Sequence, residues 1–149
     1  IKLNYLNFMI QKATELGVTR FIPILTDRTV VRKINEKRIK KIIIEASEQS
    51  NRLNIPLLDK LKKLEDFVKE NSQTTILFGD LNSKNKKIDI PGNDPICLLI
   101  GPEGDFSLKE REIFSKLKKI IPLNINKNIL RSETAAISMI SIISYILLS

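Results

Sequence analysis

The sequence predicts an α/β fold, a mostly parallel sheet flanked by helices. Three observations lead there. Strand-like apolar runs alternate with helical periodicities along the 149 residues. One run, Ile96 to Ile100, is continuously apolar, the pattern of a strand buried on both faces. Two segments leave apolar runs for tight loops that lead straight into helices: Leu98-Leu99-Ile100-Gly101-Pro102-Glu103-Gly104-Asp105-Phe106-Ser107 and Asn128-Ile129-Leu130-Arg131-Ser132-Glu133-Thr134-Ala135-Ala136. Such strand ends are where α/β proteins bind ligands, so the two loops predict one composite pocket.

Each element has its own signal. Tyr5 to Leu16 places Leu6, Met9, Ile10, Ala13 and Leu16 on one helical face, and Gly17 stops it. Val18 to Leu25 reads as a strand. Asn35 caps a helix reaching Ser50 that buries Ile39, Ile42, Ile43 and Ala46 and turns Lys37, Arg38, Lys40 and Lys41 outward, the ordinary charged face of a surface helix. A short helix near Leu64 to Lys69 precedes the strand Thr75 to Phe78, which Gly79 ends. Leu81 to Pro95 is a polar, Lys- and Asn-rich loop expected to be mobile. After the strand Ile96–Ile100, Ser107 and Glu110 form a capping box for a helix to about Lys118, followed by a strand near Ile120 to Leu123 and a long final helix. No internal repeat or boundary divides residues 1–149, which read as one domain.

A net charge of +8 and a pI near 9.6 favour a polyanionic partner such as nucleic acid, although a composition rich in Ile, Lys and Asn would give the same excess. Cys97 is the single cysteine and histidine is absent, which disfavours a disulfide framework and a metal site and removes any Ser-His or Cys-His catalytic unit. A reducing, cytoplasmic setting fits. No signal-peptide pattern opens the chain. The apolar tail from Thr134 to Leu148 is shorter than the roughly 20 residues a bilayer requires and carries Ser138, Ser141 and Ser144, so a helix buried against protein is expected, with no membrane partner. Because the first residue is not methionine, the chain reads as a fragment lacking its natural N-terminal part.

The Gly101–Gly104 turn offers backbone N–H groups beside a helix start, where glycine lets a ligand touch the main chain. It matches neither a Walker loop nor a dinucleotide fingerprint, and a purely structural turn stays open. A bulky residue at Gly104 is expected to block the ligand's approach. Arg131, between an apolar loop and a buried helix, suits an anionic group, with a plain pair to Glu133 as the alternative. The Asp27-Arg28 segment and Glu48-Gln49-Ser50-Asn51-Arg52 are expected to converge on the same sheet edge.

Taken in order, Lys12-Ala13-Thr14-Glu15-Leu16-Gly17-Val18, Asp27-Arg28-Thr29-Val30-Val31, Glu45-Ala46-Ser47-Glu48-Gln49-Ser50-Asn51-Arg52 with Ile55-Pro56, Gly101-Pro102-Glu103-Gly104 and Ile129-Leu130-Arg131-Ser132-Glu133-Thr134-Ala135 resemble the RsmE family, bacterial 16S ribosomal RNA uridine-N3 methyltransferases of the SPOUT class. The resemblance covers essentially the whole chain. It implies an α/β domain with a C-terminal trefoil knot, which general topology rules would not suggest. It further implies S-adenosylmethionine as cofactor, small-subunit (16S) rRNA as partner, a homodimer, and an N-terminal PUA-like barrel that this chain does not contain. The cofactor residues it implies are Leu77, Phe78, Gly79, Ile100, Gly101, Pro102, Glu103, Gly104, Leu123, Ile125, Asn128, Ile129, Leu130, Arg131 and Thr134. Leu123, Ile125, Ile129 and Leu130 would pack on the adenine. Arg131 and Glu133 are the implied catalytic residues, with Arg131 stabilising the uracil anion and Glu103 or Asp105 weak candidates for the base; Arg28, Arg32 and Arg52 are the implied RNA contacts.

Two departures stand out. Asp105 replaces the second glycine of the family's Gly-Pro-Glu-Gly-Gly, and Asn126 lies where a glycine is usual. Asp and Asn tolerate left-handed backbone, so both loops are expected to keep their shape, and the Asp105 carboxylate would sit beside the sulfonium. A SPOUT ribose 2′-O-methyltransferase and a non-catalytic RNA- or nucleotide-binding domain are the rival readings. The final helix, with Ile142, Ile143, Ile146 and Leu147, offers a partner surface.

Overall fold

The computed structural model describes residues 1–29, 32–90 and 95–148, so Val30 and Val31 of the second motif and 91–94 of the polar loop lie outside the described residues. The elements run α1 (Leu3–Glu15), β1 (Arg20–Phe21), β2 (Ile24–Leu25), α2 (Glu36–Gln49), β3 (Leu57–Leu58), β4 (Lys62–Lys63), α3 (Leu64–Glu70), β5 (Thr75–Gly79), β6 (Ile96–Leu99), α4 (Leu108–Ser115), β7 (Ile120–Leu123) and α5 (Ser132–Leu148). Every strand pairing among the described residues is parallel: β1 with β3, β2 with β4, and a three-stranded sheet in the order β6-β5-β7.

The helix ends follow the local chemistry. Gly17 takes φ +97 after α1, the Asn35 side chain accepts from Arg38 N–H at 3.0 Å, and Ser107 and Glu110 complete a capping box at α4. The expected strand over 18–25 is instead two dipeptide strands. Pro23 lies between them, has no N–H to give a ladder, and lets β1 and β2 pair with different partners. Asp59, between β3 and β4, joins these pairs by accepting from Arg20 of β1 at 2.8 Å and Lys62 of β4 at 3.3 Å.

One core cluster packs Leu64, Phe67, Ile76, Phe78, Leu99, Phe106 and Phe114 between α3, α4 and the main sheet. A second joins Leu77 and Leu123 to Met139 and Ile143 of α5, and a third joins α1 to α2 through Ile10, Ile39 and Ile43. β5 is the doubly covered strand, with Thr75 to Phe78 all buried; of β6, expected to be so, only Leu99 is fully buried, because it is an edge strand. The 81–90 part of the polar loop is tied down rather than free. Asn124 N–H donates to Asn85 O at 3.0 Å, Ser83 Oγ donates to Pro122 O at 3.1 Å, and Ile88 and Ile90 pack against the Leu77 cluster.

Candidate functional site

Because β5, β6 and β7 are parallel neighbours, their C-terminal ends reach the same sheet edge. The segments that leave them, 79–82, 99–106 and 123–132, enclose a cleft of about 570 Å³. The expected composite pocket is therefore present, with the segment after β5 as a third wall. Ser132 Oγ donates to Gly101 O at 3.1 Å and ties the last loop to the Gly-Pro-Glu-Gly turn.

Of the implied cofactor residues, Gly79, Ile100, Gly101, Pro102, Glu103, Leu123, Ile125, Asn128, Ile129, Leu130 and Arg131 line this cleft. Leu77 and Phe78 are buried mid-strand in two different core clusters, and Gly104 and Thr134 also lie off the lining. The apolar wall is uneven: Leu123 is 1% exposed and belongs to the core, whereas Ile129 is 86% exposed at the rim. Ala135 and Met139 of α5 also line the cleft and were not foreseen, although their helical spacing from Ser132 would have placed them on its cleft side.

The demand for glycine falls on Gly101. A Cβ there would lie 3.0 Å from Phe106 Cε2, and Phe106 is itself fixed edge-on against Phe114 with ring centroids 4.8 Å apart. At Gly104 the nearest atom to a Cβ would be Arg28 Cδ at 3.4 Å. Asp105 does adopt left-handed backbone, φ +60, and its Oδ1 accepts from Phe106 N–H at 2.7 Å. Asn126 does not; its side chain instead accepts from Asn128 N–H at 2.8 Å and turns the loop that way. The Asp105 carboxylate is engaged by the Arg111 guanidinium, which also lies 3.8 Å from Asp80, so two carboxylates and one arginine share the cleft wall.

Arg131 sits on the rim with 62% of its side chain exposed. Glu133, nearly buried, holds its Nε at 3.3 Å, and the guanidinium carbon stands 4.2 Å over the ring of Tyr5 in α1. Arg131 thus pairs with Glu133, as the plainer of the two expectations has it, and also lines the cleft. Tyr5 carries no sequence motif and its part was not foreseen.

The Asp27-Arg28 segment also reaches this region. Arg28 donates to Gly104 O, Asp27 N–H donates to Glu110 at 2.9 Å, and Ser107 Oγ donates to Asp27 at 2.6 Å. Arg32 is exposed just beyond. The expected fourth loop does not converge. Arg52 donates through Nη1 to Thr14 O and Val18 O, both at 2.7 Å, and so clamps the end of α2 to the end of α1. Thr14 O, which also accepts from Gly17 N–H at 3.1 Å, and Val18 O lie at the end of α1 and hold this guanidinium away from the cleft.

Comparison with known proteins gives the family. Residues 1–144 match the family described as RNA methyltransferase domain, and the chain belongs to it. It is 34% identical to the ribosomal RNA small subunit methyltransferase E of Rickettsia conorii over 95% of this chain and 59% of that protein. The namesake of Aquifex aeolicus is 33% identical over 96% of this chain and 64% of its own length. A crystal structure of ribosomal RNA small subunit methyltransferase E from Neisseria gonorrhoeae bound to S-adenosyl methionine superposes with a TM-score of 0.87 at 29% identity, covering 96% of this chain and 61% of that one. The chain thus spans about three fifths of the length of the relatives it matches.

Proposed function

We propose that this chain, as one unit over 1–149, is the cofactor-binding and catalytic part of an S-adenosylmethionine-dependent enzyme that methylates N3 of a uridine in small-subunit (16S) rRNA. The observation that carries this reading is the cleft at the joint C-terminal edge of β5, β6 and β7, with a fixed arginine on its rim. Membership of the RNA methyltransferase family and the relatives' shared name support it.

The residues present fit the cofactor. A cleft of about 570 Å³ falls in the usual range for ligands of this size, roughly 300–1,000 Å³. Ile125, Ile129 and Leu130 offer apolar surface for a purine, the loop backbones offer polar edges, and Asp80 and Asp105, which share the single cation of Arg111, leave net negative charge on the wall. When bound, S-adenosylmethionine supplies an electrophilic methyl group on a sulfonium. The chain's own contribution is positioning and charge. Arg131, beside Glu133 and Tyr5, stabilises the uracil anion that forms as N3 gives its proton to a cleft carboxylate, Glu103 or Asp105, before that nitrogen takes the methyl group. Ser132 fixes the Arg131 loop against Gly101, so the cofactor wall and the arginine keep one spacing. Arg28 and Arg32, both exposed, remain the RNA contacts of this reading; Arg52 serves the fold.

The reading extends to assembly and setting. A homodimer is supported by α5, which buries Ile143 yet leaves Ile142, Tyr145, Ile146, Leu147 and Leu148 exposed. The family resemblance implies a trefoil knot, and Asn124, just after β7, donates to Leu81 O and Asn85 O, so two segments that such a knot would bring together are in contact. Its place is the cytoplasm, with its RNA; among the described residues no helix is long and apolar enough to cross a membrane and no cluster would hold a metal. The test is methylation of unmodified small subunits by the full-length enzyme, with mass spectrometry of the product nucleoside. The expected product is 3-methyluridine. A 2′-O-methylated nucleoside, or no methyl transfer, overturns the reading.

A further inference from the structure

The charges of α2 run against the helix that carries them. Residues 32–41 hold Arg32, Lys33, Lys37, Arg38, Lys40 and Lys41 against Glu36 alone, a net +5 of the chain's +8. The cations crowd the first turns, where the helix dipole is already positive, while Glu45 and Glu48 sit in the last turns, and no basic residue lies in the final one. Lys37 and Lys41, one turn apart, repel. Among the described residues Lys41 has a carboxylate partner, Glu45 at 3.7 Å, but no ion pair neutralises Lys33, Lys37, Arg38 or Lys40, and all four are exposed. A surface helix arranged for its own stability would carry the opposite order. The arrangement suits an external polyanion.

The position of this charge also matters. Arg52 fastens the C-terminal end of α2 to that of α1, and Leu6 and Ile34 join the Ile10–Ile39–Ile43 cluster between the two helices. The helices therefore run side by side in the same direction. The basic half of α2 lies at the Tyr5 end of α1, the end on which Arg131 rests. We propose that the N-terminal half of α2 and the segment just before it, with Lys33, Lys37, Arg38 and Lys40, form a docking surface for the phosphate backbone of the RNA whose base enters the cleft. This rests on the RNA methyltransferase reading above and names the surface that holds the substrate.

The test replaces Lys33, Lys37, Arg38 and Lys40 together with Gln in the full-length enzyme. A control replaces four exposed lysines elsewhere, Lys63, Lys69, Lys116 and Lys118, with Gln, for the same change of charge. Binding of an unmodified small-subunit rRNA transcript is measured across a salt series, with vesicles of anionic phospholipid titrated in parallel. The α2 variant should bind the transcript more weakly and flatten the slope of log affinity against log salt by about 0.7 for each phosphate no longer neutralised, and the control should change it much less. S-adenosylmethionine binding should be unchanged and the melting temperature no lower, since the removed charges oppose the helix dipole. An unchanged slope in a folded α2 variant overturns the proposal, as does an equal loss in the control, or a defect seen on the vesicles but not on the transcript. Methylation at N3 by the wild type, read separately, decides the enzyme reading whichever way the slope moves.

Discussion

Arg131 is where sequence, geometry and chemistry meet. The guanidinium lies beside Glu133 and over Tyr5 at the cleft, two contacts that bias its position before substrate arrives, and a positioned charge stabilises a developing anion best. Arg131→Ala should lower single-turnover methylation about a hundredfold, roughly 3 kcal/mol, and Arg131→Lys should recover little because the planar fork is gone. Tyr5→Phe should retain activity and Tyr5→Leu should lose part of it through turnover rather than substrate affinity. Near-normal turnover in folded Arg131→Ala would remove the residue from the mechanism. Glycine gives a second residue-level contrast: Gly101→Ala must displace Phe106 from a packed ring pair and should cost about 1–3 kcal/mol in urea unfolding, whereas Gly104→Ala should be mild. Packing should also make Cys97 slow to react. Burial on β6 pushes its thiol up to about 11, the Arg20 guanidinium only partly opposing, so alkylation at pH 8 should be slow in the native chain and fast in urea. Since that pKa is raised, the stability it reflects is whole below about 9 and is lost as pH climbs towards 11.

At the scale of elements, the parts legible in the sequence were those with local chemistry. The caps at Asn35 and Ser107 and the stop at Gly17 were readable because side chain and backbone sit within a few residues of each other. β3 and β4 were not, because Leu57-Leu58 and Lys62-Lys63 are too short to show a period and exist only through distant partners. Pro23 was visible as a residue but not as the point where one strand becomes two. Asp59 holds that divided region together: hydrogen bonding from Arg20, aided by Lys62, keeps its carboxyl below the usual range. A depressed carboxylate contributes stability above its unfolded pKa near 4 and loses it as pH falls through the lower native value. Asp59→Asn should therefore lower the melting temperature at pH 7 and flatten its fall below pH 4.

Across the whole molecule, a parallel sheet followed from the alternation of apolar runs with helical periodicities and a shared pocket from two loops, but the strand order β6-β5-β7 followed from neither, since it depends on long-range connections that no local pattern marks. That order is what makes three strand ends neighbours and adds the segment after Gly79 to the cleft. One face of α5 is exposed, and light scattering should report a dimer at micromolar concentration; a stable monomer would refute the proposed homodimer. The proposed division of labour in the cleft, loops for the cofactor and Arg131 for the uracil, is tested most directly by calorimetric titration of S-adenosylmethionine into the wild-type chain and into Arg131→Ala. One site per chain is expected, with similar affinity in both. No heat of binding from a folded wild-type chain, or binding that disappears with the arginine, would refute that division.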